Sequence, residues 1–332
     1  MVGKVESPPP INFNIFKDNN FGWLGLYEEE KAFEESVRQN LITEFNAFIA
    51  SSDPIAEALK KRIQNMFQFD KGWAFWYAEQ LYLKYRIPHG PQNIGNCVAY
   101  SAFLVLCYLM IQENFVLGQT QEFFYPFIPY LYGAGRVYEG GNRIRGDGSN
   151  GVWQINACMK HGVLPMDLDG LPSGPQGTSQ VGRQWGSNRK ILDYWRPKAL
   201  PYKIRATTRC NNANDVMKVV VDYQYPVTHA SRMWFRRAGY DAKYGLNLYR
   251  LGGSAAHQTF TEAIFEIKGQ WFAYIGNQWG NNYHGNPGRG FPPGGFVVTI
   301  EEYDRFIKSS ACYAYQDFGG RQKQKLNMDI FS

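Results

Sequence analysis

Cys97 lies in Gly95-Asn96-Cys97-Val98-Ala99-Tyr100-Ser101, where a glycine turn runs into a long apolar stretch. A thiol at the first residue of a helix faces unpaired backbone N–H groups and the positive end of the helix dipole, which favours the thiolate. Two later segments complete a reactive set. His257 closes Gly252-Gly253-Ser254-Ala255-Ala256-His257 just before a β-type run, and Asn277, in Tyr274-Ile275-Gly276-Asn277-Gln278-Trp279-Gly280, follows the next such run. Lys268-Gly269-Gln270 between the runs reads as a hairpin turn, so the pairing of the two runs sets His257 beside Asn277. An imidazole can take the thiol proton, and an amide oxygen can hold the ring so that the correct nitrogen faces the sulfur. Without those two segments, Cys97 would read as a buried structural cysteine.

The elements that must hold these groups follow from periodicity. Residues 1 to about 25, with Pro8-Pro9-Pro10, read as an extended arm. Apolar residues then recur at helical spacing from Phe33 to Phe48, and Asp53-Pro54 opens a second helix through Phe67. A third helix is expected from Lys71 to Tyr85, ended by Ile87-Pro88-His89-Gly90-Pro91. Cys97 to Glu113 is apolar on nearly all sides, the pattern of a central helix. A glycine-rich stretch covers Tyr130 to Trp153, and a short helix is expected over Ile155 to His161. After about residue 200 the texture becomes β-like, at Val216 to Tyr223, Pro226-Val227, Phe260 to Ile267, Trp271 to Ile275 and Gly295 to Thr299, before a helix from Ile300 to Ile307. Helices first and strands second indicate an α+β fold with segregated halves.

Cys97-Val98-Ala99-Tyr100-Ser101 and Asn277-Gln278-Trp279-Gly280 resemble the nucleophile and Asn-Ser-Trp-Gly segments of the papain-like cysteine peptidases, in that family's order of Cys, His and Asn. The resemblance covers about residues 88 to 310. It implies a papain-like two-lobed fold, with a helical lobe and a β-barrel-like lobe, carrying an added N-terminal helical extension. The expected divisions are 1–88 as arm and helical extension (pro-segment or docking region), 89–200 as helical lobe, 201–315 as β-rich lobe and 316–332 as tail. It further implies that Trp279, followed by Gly280, covers the His257–Asn277 bond. Gln92 would join the Cys97 N–H in an oxyanion hole. Gly148-Ser149-Asn150-Gly151 would line the substrate cleft and meet an extended peptide through backbone groups. The sequence also departs from the family. Gln92 stands one residue closer to the cysteine than is usual there, Val98 replaces a tryptophan, and Gln258 follows the histidine where a small residue is preferred.

Composition limits the alternatives. The 332 residues are 44% hydrophobic and 19% charged, with net charge +6 and basic residues spread along the chain, so neither nucleic acid nor a membrane is an expected partner. Five scattered cysteines form no Cys-x-x-Cys pair, the other histidines show no ligand spacing, and no nucleotide motif appears, so no metal or cofactor is expected. The N-terminus lacks the apolar core of a signal peptide, and the longest apolar run reads as too interrupted to span a bilayer, which places synthesis in a reducing cytoplasm. Two functions remain. One is a cysteine endopeptidase acting on peptide or protein substrates. The alternative is a structural or assembly protein on the same fold, resembling bacteriophage-encoded members, in which the arm and the tail meet other virion subunits. Aromatic residues at 16% suit such interfaces. A virion-associated peptidase would satisfy both.

Overall fold

The computed structural model describes residues 69–116, 121–172, 179–319 and 321–322, all within the compact unit Gln64–Ser332. The Pro-rich arm, the two helices expected before residue 68 and the tail after residue 322 lie outside the described residues.

The chain order is helical first and β-rich second, the expected α+β class. A short strand β1 (Lys71–Ala74) leads directly into helix α1 (Phe75–Leu83). Helix α2 (Cys97–Ile111) follows, and every residue from Val98 to Ile111 is buried. By length and composition the span Cys97–Asn114 could cross a membrane, but here its apolar side chains are covered by protein on all sides. Burying each large one contributes about 1.5–3 kcal/mol. After β2 (Gln121–Glu122), helices α3 (Ile128–Gly133), α4 (Gly151–Lys160), α5 (Ser179–Trp185) and α6 (Arg189–Ala199) complete the helical half.

The β half holds β3 (Lys203–Cys210), a helical turn α7 (Ala213–Met217), β4 (Val227–Asp241), β5 (Leu246–Ile267), β6 (Gln270–Gly276), β7 (Gly295–Thr299), helix α8 (Ile300–Lys308), β8 (Ala311–Gly319) and β9 (Arg321–Gln322). Six strands run in the order β3-β8-β4-β5-β6-β7, with β1 added on β5. The 22-residue β5 is the hinge of this sheet. Its second half pairs antiparallel with β6, while Leu248 and Tyr249 in its first half pair parallel with Val297 and Val298 of β7. Because β7 also pairs with β6, the three strands curl back on one another. One continuous core joins the halves, running from Val98 and Leu104 on α2 to Phe260 and Ile264 on β5 and Val298 on β7.

Four local expectations are corrected. Lys71–Ala74 is a strand paired with Ala263–Glu266, so the third helix starts at Phe75; β5 offered an open edge, and pairing prevailed over helical spacing. Val216 to Asp222 is helical rather than extended. Asn212 caps its start by accepting the N–H of Asp215 at 2.9 Å, which starts a helix despite the valines. The short helix expected at Ile155 begins four residues earlier, where Asn150 accepts the N–H of Val152 at 2.8 Å. Gln316 to Gly319, assigned to the tail, continue β8 against β3, with Gln316 Oε1 accepting from Thr208 at 2.9 Å. The hairpin at Lys268-Gly269 is present, both residues having positive φ, as a tight β-turn requires.

Candidate active site

The turn before α2 fixes the thiol. Asn96 N–H donates to Ile94 O, and the Asn96 carbonyl accepts from Ala99 and Tyr100. The N–H groups of Cys97 and Val98 are left to face the Cys97 sulfur, and the backbone N–H of Gln258 on β5 does the same. Three further bonds tie this end of α2 to the β half. Ser101 Oγ donates to Gln258 O at 3.0 Å, Gln258 Nε2 donates to Val98 O at 3.4 Å, and Gln278 Nε2 donates to Ser101 Oγ. The sulfur is thus held one residue from His257, although these ties run through Gln258 rather than through His257 itself.

His257 lies inside β5 instead of before it, because the strand begins at Leu246. Its Nε2 is 2.8 Å from Asn277 Oδ1, just past the end of β6. The polarity of this pair can be deduced. The Gln278 N–H can only donate, and it lies 2.8 Å from Oδ1, so that atom is the amide oxygen. His257 Nε2 must then carry a hydrogen, which leaves Nδ1 as the lone-pair nitrogen of the neutral ring. Asn277 Nδ2 points the other way, 2.7 Å from Nε2 of His284. Trp279 stacks on His257 with ring centroids 4.6 Å apart, and Trp234 meets the same ring edge-on at 5.2 Å. His257 is 7% exposed and Asn277 1%, so water has little access to their bond.

Burial dominates the electrostatics. It pushes the Cys97 thiol above its ordinary range, and the three N–H groups only partly offset this. The N–H groups at the helix start lower the thiol pKa as expected, and burial outweighs them. Burial also lowers His257 to about 4, with the Asn277 hydrogen bond opposing the shift. The resting pair is thiol and neutral imidazole. Such a pair can move its proton as the sulfur attacks, and a protonated imidazole is then available to a leaving group.

The remaining candidates fall on both sides of Cys97. Gln92 is anchored by its backbone N–H to Gln278 O at 2.9 Å, but its Nε2 donates to the Ile94 carbonyl at 3.1 Å. Gly90 makes this strap possible, because a Cβ there would collide with the Gln278 carbonyl. Gly280 N–H donates to His89 O at 3.1 Å and turns the chain away after Trp279. Gly148 abuts Gly95, and Gly151 lies under Gln258, where a Cβ would come within 2.5 Å of the Gln258 oxygen. Ser149 is half-buried and Asn150 exposed between them. The glycine segment is held by the buried Arg136, whose guanidinium donates to the carbonyls of Gly148, Ile144 and Gly186. Sequence reasoning assigned no role to Arg136, Gln258, Gln278 or His284. Gln258 was visible only as a departure after His257, and Gln278 as part of the segment after Asn277; Arg136 and His284 carry no local signal. Among the described residues no cluster of His, Cys, Asp and Glu is set to hold a metal ion.

No family model matches the chain, and no curated protein matches it. Solved structures do. Xylellain, a cysteine protease from Xylella fastidiosa, aligns at TM-score 0.49 and 15% identity over 75% of this chain and 86% of that one. A procathepsin B from Trypanosoma congolense aligns at TM-score 0.48 and 11% identity over 76% and 80%. The cysteine protease and lectin-like domains of Cwp84, a surface-layer-associated protein of Clostridium difficile, align at TM-score 0.45 and 12% identity over 74% and 52%.

Proposed function

We propose that the chain is a papain-type cysteine peptidase that cleaves peptide bonds through a thioester on Cys97. The observation that carries this reading is the polarity of the His257–Asn277 bond beside a thiol that β5 itself holds in place. An amide oxygen takes the Nε2 hydrogen, and the lone pair on Nδ1 is left for the thiol proton. In the reaction, Cys97 Sγ attacks the substrate carbonyl carbon as its proton passes to His257 Nδ1. The tetrahedral oxyanion collapses with breakage of the C–N bond, and the imidazolium gives its proton to the departing amine. Water, deprotonated by His257, then hydrolyses the thioester and restores the thiol.

Trp279 keeps the His257–Asn277 bond dry. The Cys97 backbone N–H would receive the oxyanion, with little help from the Gln92 amide, which is held by the Ile94 carbonyl. Gly148 to Gly151 offer backbone groups to an extended substrate on the side facing Gly95.

The test is alkylation by iodoacetamide or an epoxysuccinyl probe at neutral pH, mapped by mass spectrometry, alongside cleavage of a mixed fluorogenic peptide library. Cys97 is expected to react well ahead of the buried Cys107, Cys158, Cys210 and Cys312, and His257→Ala to slow that reaction. A folded His257→Ala variant with unchanged alkylation and no library cleavage in the wild type would overturn the reading.

A further inference from the structure

His284 lies in the loop between β6 and β7, seven residues beyond Asn277. Its Nε2 is 2.7 Å from Asn277 Nδ2, and an amide nitrogen has no lone pair with which to accept. His284 Nε2 must therefore be the acceptor, and His284 a neutral ring protonated on Nδ1. The amide of Asn277 is thus held at both ends. Its oxygen takes hydrogens from His257 Nε2 and Gln278 N, and its NH2 group gives one to His284.

The ring is fixed in place by aromatic neighbours. Phe296 of β7 lies 4.5 Å away by ring centroid, Tyr283 5.0 Å and Tyr249 of β5 5.4 Å. Trp279 and Trp234 lie further off, at 6.4 and 6.5 Å, and the residue stays part-exposed. Tyr249 Oη also donates to the His284 carbonyl at 3.3 Å. The titratable groups around the ring are His257 and Tyr249 from β5 and Tyr283 from its own loop, with Arg237 of β4 beyond Tyr249.

We infer that His284 is a positioning residue, a second imidazole that locks the Asn277 amide in the orientation presenting its oxygen to His257. This inference rests on the peptidase reading for its effect on catalysis, but not for its effect on tautomers. A protonated His284 would be a donor at both ring nitrogens and would face the Asn277 NH2 with no acceptor. Relief requires rotation of the ring or a flip of the amide. A flip would turn the NH2 group onto the N–H of Gln278 and the Nε2–H of His257, and the tautomer that keeps Nδ1 free would lose its support. Burial, aided by the neighbouring His257, lowers His284 to about 4. The lock should therefore hold at neutral pH and release in acid.

The experiment combines imidazole 15N NMR with alkylation of Cys97 by iodoacetamide, on the full chain. In the wild type at pH 7, His284 is expected as the Nδ1–H tautomer and His257 as the Nε2–H tautomer. The Asn277 side-chain amide signals should shift in the same acid step that protonates His284. His284→Phe keeps the aromatic packing and removes the acceptor, whereas His284→Gln offers a carbonyl oxygen in its place. We expect His284→Phe to slow Cys97 alkylation about tenfold at pH 7 and to mix the His257 tautomers, with His284→Gln recovering most of both. Melting temperatures of the two variants control for folding.

An Nε2–H tautomer for His284 in the wild type overturns the inference without any variant. So does wild-type behaviour of a folded His284→Phe in both tautomer and alkylation, when His257→Ala still slows alkylation. If His284→Phe mixes the His257 tautomers while even His257→Ala leaves alkylation unchanged, the lock stands and the peptidase reading falls.

Discussion

Two buried polar clusters in this molecule are built on different principles. In one, packed against Phe260, Arg86 sits between the buried carboxylates of Glu79 and Glu262, with Nη1 2.8 Å from Glu79 Oε2 and in contact with Glu262 Oε1. Tyr108 donates to Glu262 at 3.0 Å, and His89 Nδ1 donates to the Gly294 carbonyl at 2.9 Å. In the other cluster, the line Cys97, His257, Asn277, His284 contains no carboxylate. Neutral hydrogen bonds join His257, Asn277 and His284, Trp279 stacks on His257, and the Cys97 sulfur faces the backbone N–H of Gln258, the residue after His257. The molecule places full charges where they fasten the Arg86–Gln92 strap to the β half, and keeps the reactive line neutral at rest. A buried ion pair is costly to break but has no low-energy alternative arrangement, which suits a scaffold. A neutral amide–imidazole line can shift a proton without building up charge beforehand, which suits a site.

That contrast predicts that the two clusters fail in different ways, and the largest effect belongs to the site. His257→Ala should lower peptide cleavage by at least about a thousandfold while leaving the melting temperature within a few degrees of wild type. Comparable loss of both would break the distinction. Next in size, Glu262→Ala leaves a part-buried Arg86 with Glu79 as its remaining carboxylate and should destabilise the fold by up to about 3 kcal/mol. Urea denaturation measures this directly, and the residual folded fraction should still alkylate at Cys97.

A smaller effect is expected of Gln92→Ala. A dedicated oxyanion donor is worth about a hundred- to a thousandfold in rate, but the Gln92 amide spends a hydrogen on Ile94 O. A loss of cleavage below about tenfold at constant KM is expected, and a hundredfold loss would show that the amide turns into the site.

The smallest effect is on pH dependence of stability. Burial pushes Glu79 up to about 7 from an ordinary 4.5, so the folded chain holds that proton longer than the unfolded one. Its contribution is full below 4.5 and is lost as the pH rises through about 7. Glu113, raised to about 8 chiefly by burial, extends the same decline. The lowered histidines act in the opposite sense. His257 and His284 stabilise the fold above an ordinary 6.5 and lose that contribution as the pH falls towards about 4. Chemical denaturation across pH 4 to 9 should show greatest stability in the mildly acidic range, and Glu79→Gln should remove part of the decline between about 4.5 and 7 while leaving the Glu113 decline towards about 8.

Much of the reactive line could be read before any coordinates, because each member sits in a short segment with its own signature. Cys97 follows a glycine turn, and the Lys268-Gly269 hairpin fixes the spacing of His257 and Asn277. Thr299-Ile300 was equally legible, since the capping threonine, acidic first turn and basic last turn of α8 are all local signals. What could not be read depended on distant partners. Lys71-Gly72-Trp73-Ala74 carries no strand pattern; it is a strand because β5 has an edge free there. The arms of β4 and β5 from Arg232 to Ala256 are rich in Arg, Gly and Tyr, and their register shifts break the alternation that would have revealed them. Glu79, Arg86, His89 and Glu262 are spread over almost two hundred residues, and only the fold shows that they meet.

Gln258 gives the cleft a fixed gauge. Its backbone N–H faces the sulfur, its carbonyl and amide hold α2, and its side-chain oxygen fills the space beside Gly151 that a Cβ would need. Positions 151 and 258 therefore share one volume. Among descendants of this sequence, a larger residue at 151 would have to push the Gln258 amide aside or meet a smaller residue there, so changes at the two sites should tend to appear together.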